Sequence, residues 1–140
     1  MASDRLVLDA SYVLEAIVPT SAQWQDEALD MLDRIGSGDV DARVPWVFFA
    51  EVASFVTRRV RGRRLDIEYA RDFLARIDGL GMHVDLTLDG AGQLFANAMS
   101  WNAGASDGLY IDAARRMAVP IATRDRGMIT AARAAGVGVV

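Results

Sequence analysis

The sequence predicts an α/β protein with a central, mainly parallel sheet flanked by helices. Three observations predict it. Short apolar strand-like runs alternate with helical-period segments along the whole chain. The composition, 52% hydrophobic with 3 Pro, is that of a compact globule and not of a disordered chain. No linker, repeat or low-complexity tract breaks the 140 residues, which reads as one domain, 1–140.

The elements follow in order. "RLVLD" (5–9) reads as a short buried strand ending in an acid, and residues 10–18 as a helix closed by Pro19. A helix then starts at Thr20 or Ser21. Trp24, Ala28, Leu29, Leu32 and Ile35 recur along it at helical spacing, and Gly36 stops it. "ARVP" (42–45) is a strand and 46–61 an apolar helix. In the next helix Ile67, Ala70, Phe73, Leu74 and Ile77 share one face. "MHVDLT" (82–87) alternates as a strand does, and a helix runs from about Asp89 to Asn102. Another opens with Ser106 as its N-cap. "VPIAT" (119–123) is a strand, "RGMITAARAAG" a helix and "VGVV" a last short strand.

Composition excludes several chemistries. Without Cys there are no disulfides and no thiolate zinc sites, and the single His83 rules out a multi-histidine metal site. Any metal would be held mainly by oxygens, which suits Mg²⁺ or Mn²⁺. All 15 basic residues are Arg, so no mechanism that needs Lys applies. The net charge of −4 argues mildly against non-specific nucleic-acid binding. Local clustering matters more: "RRVRGRR" sets Arg58, Arg59, Arg61, Arg63 and Arg64 within seven residues. The first eighteen residues carry Asp4, Arg5, Asp9 and Glu15, too many charges for a signal peptide or a membrane span. A cytoplasmic protein with no membrane partner is the expectation.

Four acids stand where acids are costly or pointed. Asp9 and Asp125 follow strands, and strands of a parallel sheet end on the same rim. Asp107 opens a helix and can reach a rim too. Glu51 sits inside "VPWVFFAEVASFVTRR". At 100° per residue, Val47, Phe48 and Phe55 lie within about 60° of it, and Ser54 and Arg58 are its only polar helical neighbours. Each acid also has a plain structural reading. Asp9 caps the following helix, Asp107 meets a helix N-terminus, Asp125 is a turn residue, and Glu51 pairs with an Arg. The conjunction favours chemistry. Carboxylates gathered at one rim raise one another's pKa, and a divalent cation is the simplest compensation.

Three stretches carry a family resemblance that runs end to end. They are "LVLDASYVLEAIV", "VPWVFFAEVASFVTRRVRGRRL" and "ASDGLYIDAARRMAVPIATRDRGM". The chain resembles a PIN domain of the VapC type, the toxin ribonuclease of toxin–antitoxin pairs. The resemblance implies a three-layer α/β/α fold and an acidic quartet of Asp9, Glu51, Asp107 and Asp125. It implies Mg²⁺-dependent (or Mn²⁺-dependent) hydrolysis of RNA phosphodiesters, a homodimer, and a small antitoxin that blocks the site. Asp9 and Asp107 would be direct metal ligands. Glu51 and Asp125 would act through water, position the nucleophile or hold a second ion, which would also explain the burial of Glu51. Ser54 stands where many members have Asn, and Gly108 where Ala is common. Ser11, Ser54 and Thr123 are candidate neighbours of the site. Asp112 is either a further acid of it or a surface partner of Arg115 or Arg116. The five clustered Arg are either RNA-backbone contacts or a solvated helix end. Trp46, Trp101 and Tyr110 read as core or base-stacking residues, and Trp24 and Met31 as core or interface residues.

Three rivals remain. A haloacid-dehalogenase-like phosphohydrolase would need D-x-D and a Lys, whereas Asp9 is followed by Ala10 and Ser11. A catalytically weak PIN-like module would only bind RNA or protein. A nuclease with the same chemistry would act on DNA.

Overall fold

Strand β1 (Asp4–Leu8) runs through the centre of the structure, a computed structural model that describes residues 3–140. Val7 and Leu8 are fully buried, and both neighbouring strands run parallel to it. Strand β2 (Val40–Pro45) pairs with it on one side, Asp4 opposite Val40 and Val7 opposite Arg43. Strand β3 (His83–Asp85) extends the sheet beyond β2, and β4 (Ile121–Ala122) pairs with β1 on the other side. The order is β3-β2-β1-β4, all parallel.

The helices are α1 (Ala10–Leu14), α2 (Ala22–Ser37), α3 (Phe48–Arg61), α4 (Ile67–Gly79), α5 (Ala91–Trp101), α6 (Ala105–Met117) and α7 (Arg126–Ala134). From β1 to β3 the chain steps one way across the sheet, then returns past β1 to reach β4. Right-handed connections put the outgoing helices on one face and the return on the other. Accordingly α2 packs on β2, while α6 packs across β1, β2 and β4. The direction reverses between β1 and β4, so the switch point lies beyond Leu8 and Ala122.

One apolar core joins the layers: Val7, Leu8, Val44 and Ile121 from the sheet with Phe48, Ile111 and Met128 from the helices. Each such side chain contributes about 1.5–3 kcal/mol by leaving water. Side-chain caps fix several helix starts. Ser21 Oγ accepts from the Trp24 amide at 3.1 Å, and Asp66 accepts from the Glu68 and Tyr69 amides at 3.1 and 3.0 Å. Among the described residues, no helix is long and apolar enough to cross a membrane.

The elements expected from sequence are present, with shifted ends. The first helix stops at Leu14 and turns carry the chain on to Pro19. α2 continues through Gly36 and ends at Gly38, whose φ of 86° only Gly adopts without strain. α3 begins at Phe48, and exposed Trp46 lies in the turn before it, outside the core. Ser106 is not a cap: α6 starts one residue earlier, after Gly104. Trp24, Leu29 and Ile67 lie at the exposed margins of their helical faces, whereas Met31, Trp101 and Tyr110 are core. The 82–87 strand contracts to three residues, and the terminal strand to a single bridge, Ile121 with Val139.

Candidate active site

Asp9 follows directly on β1. The apolar strand carries it inside, and its side chain is 5% exposed. It occupies the N-cap position of α1, yet its side chain makes no capping bond, so the capping explanation fails. Two hydroxyls take its place as partners. Ser11 Oγ donates to Asp9 Oδ2 at 2.5 Å and Thr123 Oγ1 to the same oxygen at 2.8 Å. The Arg124 amide donates to Ser11 Oγ at 2.9 Å and the Asp125 amide to Thr123 Oγ1 at 3.1 Å. The end of β1 is thus tied to the turn after β4 across the switch point. Burial raises the Asp9 pKa, the two hydroxyls oppose the rise, and the Asp125 charge adds to it.

Glu51 lies in the first turn of α3 and is only half-buried, and Ser54, one turn along on the same side of the helix, is exposed. Among the described residues it forms no ion pair with Arg58 or another Arg. A side chain does reach it: the hydroxyl of fully buried Tyr110 donates to Glu51 Oε1 at 2.6 Å. Its burial therefore needs no metal to explain it. Burial raises its pKa, Tyr110 opposes this, and the charges of Asp9 and Asp107 add to it. Burial, then Asp9 and the bond to Glu51, push the Tyr110 phenol up, so it stays a donor throughout the working pH range.

Asp107 is in the first turn of α6, a favourable place for a negative charge. Burial, then Asp9 and Asp125, raise its pKa to about 6. Asp125 caps α7, accepting from the Met128 amide at 2.9 Å, a helix N-cap where the sequence suggested an ordinary turn residue.

All four acids line one cavity of about 800 Å³ at the switch point, together with Ser11 and Ser54. Thr123 stands behind Asp9, 1% exposed. Burial, reinforced by the neighbouring charges, has a thermodynamic consequence at Asp107. Asp107 binds its proton more tightly folded than unfolded, so between its ordinary 3.8 and about 6 the native state carries more protons. Metal-free protein should therefore gain stability as the pH falls from about 6 towards 4, by about 1 kcal/mol after solvent screening is discounted. Urea denaturation in EDTA at stepped pH checks this. A flat or falling curve over that window would contradict it.

A hard cation fits this donor set by chemistry: four carboxylates share one cavity, and three have raised pKa values. Among the described residues, however, no three His, Cys, Asp or Glu side chains are placed to hold a metal together.

Other sequence candidates separate. Asp112 pairs with Arg116 at 2.9 Å and does not line the cavity, so its surface reading holds. The Arg cluster splits. Arg58 and Arg59 line the acidic cavity, Arg63 and Arg64 line a second concavity beside Leu65, and Arg61 lines neither. Four residues of the site had no sequence signal that singled out their roles there. Tyr110 reads as a core or base-stacking residue and not as a partner of Glu51. Glu15, 7% exposed, accepts from the Thr20 amide and hydroxyl at 2.7 and 2.9 Å and shapes the cavity wall. Arg124 and Trp24 join the wall through contacts a hundred residues apart in sequence.

No protein-family model matches the chain, and neither does any curated protein. Solved structures do. The chain is similar to PAE2754 from Pyrobaculum aerophilum, with 16% identity and a TM-score of 0.72 over 99% of this chain and 84% of that one. It is similar to FitAcB from Neisseria gonorrhoeae, with 20% identity and a TM-score of 0.58 over 96% of this chain and 95% of that one. At these identities the likeness concerns the fold, a PIN-like α/β/α arrangement around a parallel sheet.

Proposed function

We propose that the chain is a divalent-metal-dependent endoribonuclease acting as the toxin of a toxin–antitoxin pair. One observation carries the nuclease reading. Asp9, Glu51, Asp107 and Asp125, from four separate segments, line one cavity at the switch point of a parallel sheet. The PIN-like fold supports the same reading. RNA as substrate, the antitoxin and a homodimer rest on the sequence resemblance to VapC-type PIN domains.

Asp9 and Asp107 would hold Mg²⁺ or Mn²⁺. When bound, the cation supplies Lewis acidity, acidifying a water and offsetting charge on the phosphoryl oxygens. Ser11 and Thr123 fix the Asp9 carboxylate through Oδ2. Tyr110 engages Glu51 Oε1, leaving Oε2 to take a proton from the attacking water. Asp125, held by its own helix, keeps negative charge facing Asp9 and Asp107. Arg58 and Arg59 on the cavity wall draw the phosphate backbone in.

The test is cleavage of a panel of tRNA, rRNA fragments and single-stranded DNA with Mg²⁺ or Mn²⁺, against EDTA and Asp107→Asn. We expect RNA to be cut and both controls to be inert. Cleavage of DNA alone would move the substrate class. No cleavage by protein that binds Mn²⁺ calorimetrically would leave a PIN-like binding module.

A further inference from the structure

Arg124 stands between Thr123 and Asp125 in the turn from β4 to α7, and its side chain reaches the wall of the acidic cavity. It is the best-held cation there. Its Cζ lies 4.4 Å from the Tyr12 ring centroid and 4.9 Å from that of Trp24. Its Nη2 donates to Glu27. The side chain is 17% exposed, against an exposed Arg58 at the same cavity. Two aromatic contacts and an ion pair immobilise a side chain that would otherwise lose about 2 kcal/mol of rotamer freedom on binding a ligand.

This arrangement is more than a strut. A guanidinium has five N–H donors, and Glu27 is the acceptor that the structure gives this one. Arg124 Nε is buried without a hydrogen-bond partner among the described residues, as is Arg43 Nε away from the cavity, so a phosphate would meet the guanidinium through its outer Nη atoms. The planar fork matches two oxygens of a phosphate. The neighbouring acids would repel such a group, so a fixed cation beside them is what an anionic substrate needs.

We infer that Arg124 is a preorganised anchor for a substrate phosphate, held by Tyr12, Trp24 and Glu27 at the wall of the acidic cavity. The inference rests on the nuclease reading and deepens it by naming the contact that positions the RNA backbone. It also assigns Arg124 a role distinct from the general attraction of Arg58 and Arg59.

The experiment is fluorescence anisotropy of a labelled single-stranded RNA of about 12 nucleotides, a length within the usual site size. Ca²⁺ replaces Mg²⁺, and binding is followed across a salt series. Arg124→Gln should raise Kd about tenfold and reduce the slope of log Kd against log salt by about 0.7, the loss of one phosphate contact on a single strand. Arg124→Lys should keep the slope and weaken binding by a smaller factor, since it keeps the charge and loses the fork. Arg133→Gln, at the exposed end of α7, should match the wild type. Unchanged Kd and slope in a folded Arg124→Gln would overturn the anchor while leaving the nuclease reading in place. A wild type that binds no RNA at any salt would overturn both. If Arg124→Gln does not fold, Arg124→Lys decides: binding equal to wild type overturns the anchor, and weaker binding at equal thermal stability supports it.

Discussion

Asp9→Asn should lower kcat/KM for RNA cleavage about 10³-fold, worth about 4 kcal/mol, while leaving the protein as stable as before or more so. The two effects share one cause. Asp9 is buried at the end of β1, and burial raises its pKa, so the folded state holds a charge it would hold more easily unfolded. A group raised in this way costs stability above its folded pKa, and the cost fades as the pH falls towards the unfolded value. An amide removes that cost. It also keeps the local bonds, since the Asn oxygen can accept from Ser11 and Thr123 as Oδ2 does now. Chemistry has no such substitute. A neutral amide is a poor ligand for a hard cation and offsets none of its charge. Single-turnover cleavage in excess Mn²⁺, with urea denaturation in EDTA, measures both quantities. The stability gain should appear at pH 8 and shrink in acid. Activity within tenfold of wild type, or a loss of stability above about 1 kcal/mol, would recast Asp9 as a structural acid.

The catalytic candidates were legible in sequence wherever an acid broke a local rule. Asp9 and Asp125 end apolar runs, and Glu51 interrupts the apolar run at residues 44–56. Their meeting was legible only through topology: parallel strands deliver their ends to one rim, and the β3-β2-β1-β4 order puts the reversal between β1 and β4. Partners that depend on long-range packing left no local mark. Arg124 looks like one more Arg in an Arg-rich chain until Tyr12, Trp24 and Glu27 close around it. The Arg58–Arg64 cluster looked like a single patch. α3 ends at Arg61, so the residues after it turn towards another concavity. Ser106 looked like a cap because Ser favours that position, but α6 starts at Ala105 with Gly104 in the cap position.

Tyr110→Phe should lower kcat about 10- to 100-fold with little change in KM, although Tyr110 never reaches the cavity. The hydroxyl donates to Glu51 Oε1 at 2.6 Å from a side chain that is 0% exposed. Removing a hydrogen bond to a charged acceptor costs about 1.5–3 kcal/mol. Phe fills nearly the same volume, so the core around Tyr110 stays packed and the loss falls on Glu51 alone. Glu51 then loses both its orientation and the one contact that opposes the rise of its pKa. A carboxylate raised further is ionised only at higher pH, so the acidic limb of the rate profile should move upward. A disturbance of packing would lower thermal stability and leave that limb in place. The decisive comparison is a double-mutant cycle with Glu51→Gln. If Tyr110 acts through Glu51, its removal should cost almost nothing once Glu51 is already Gln. Equal losses in both backgrounds would mean that Tyr110 supports the fold of α6 and not the orientation of the acid.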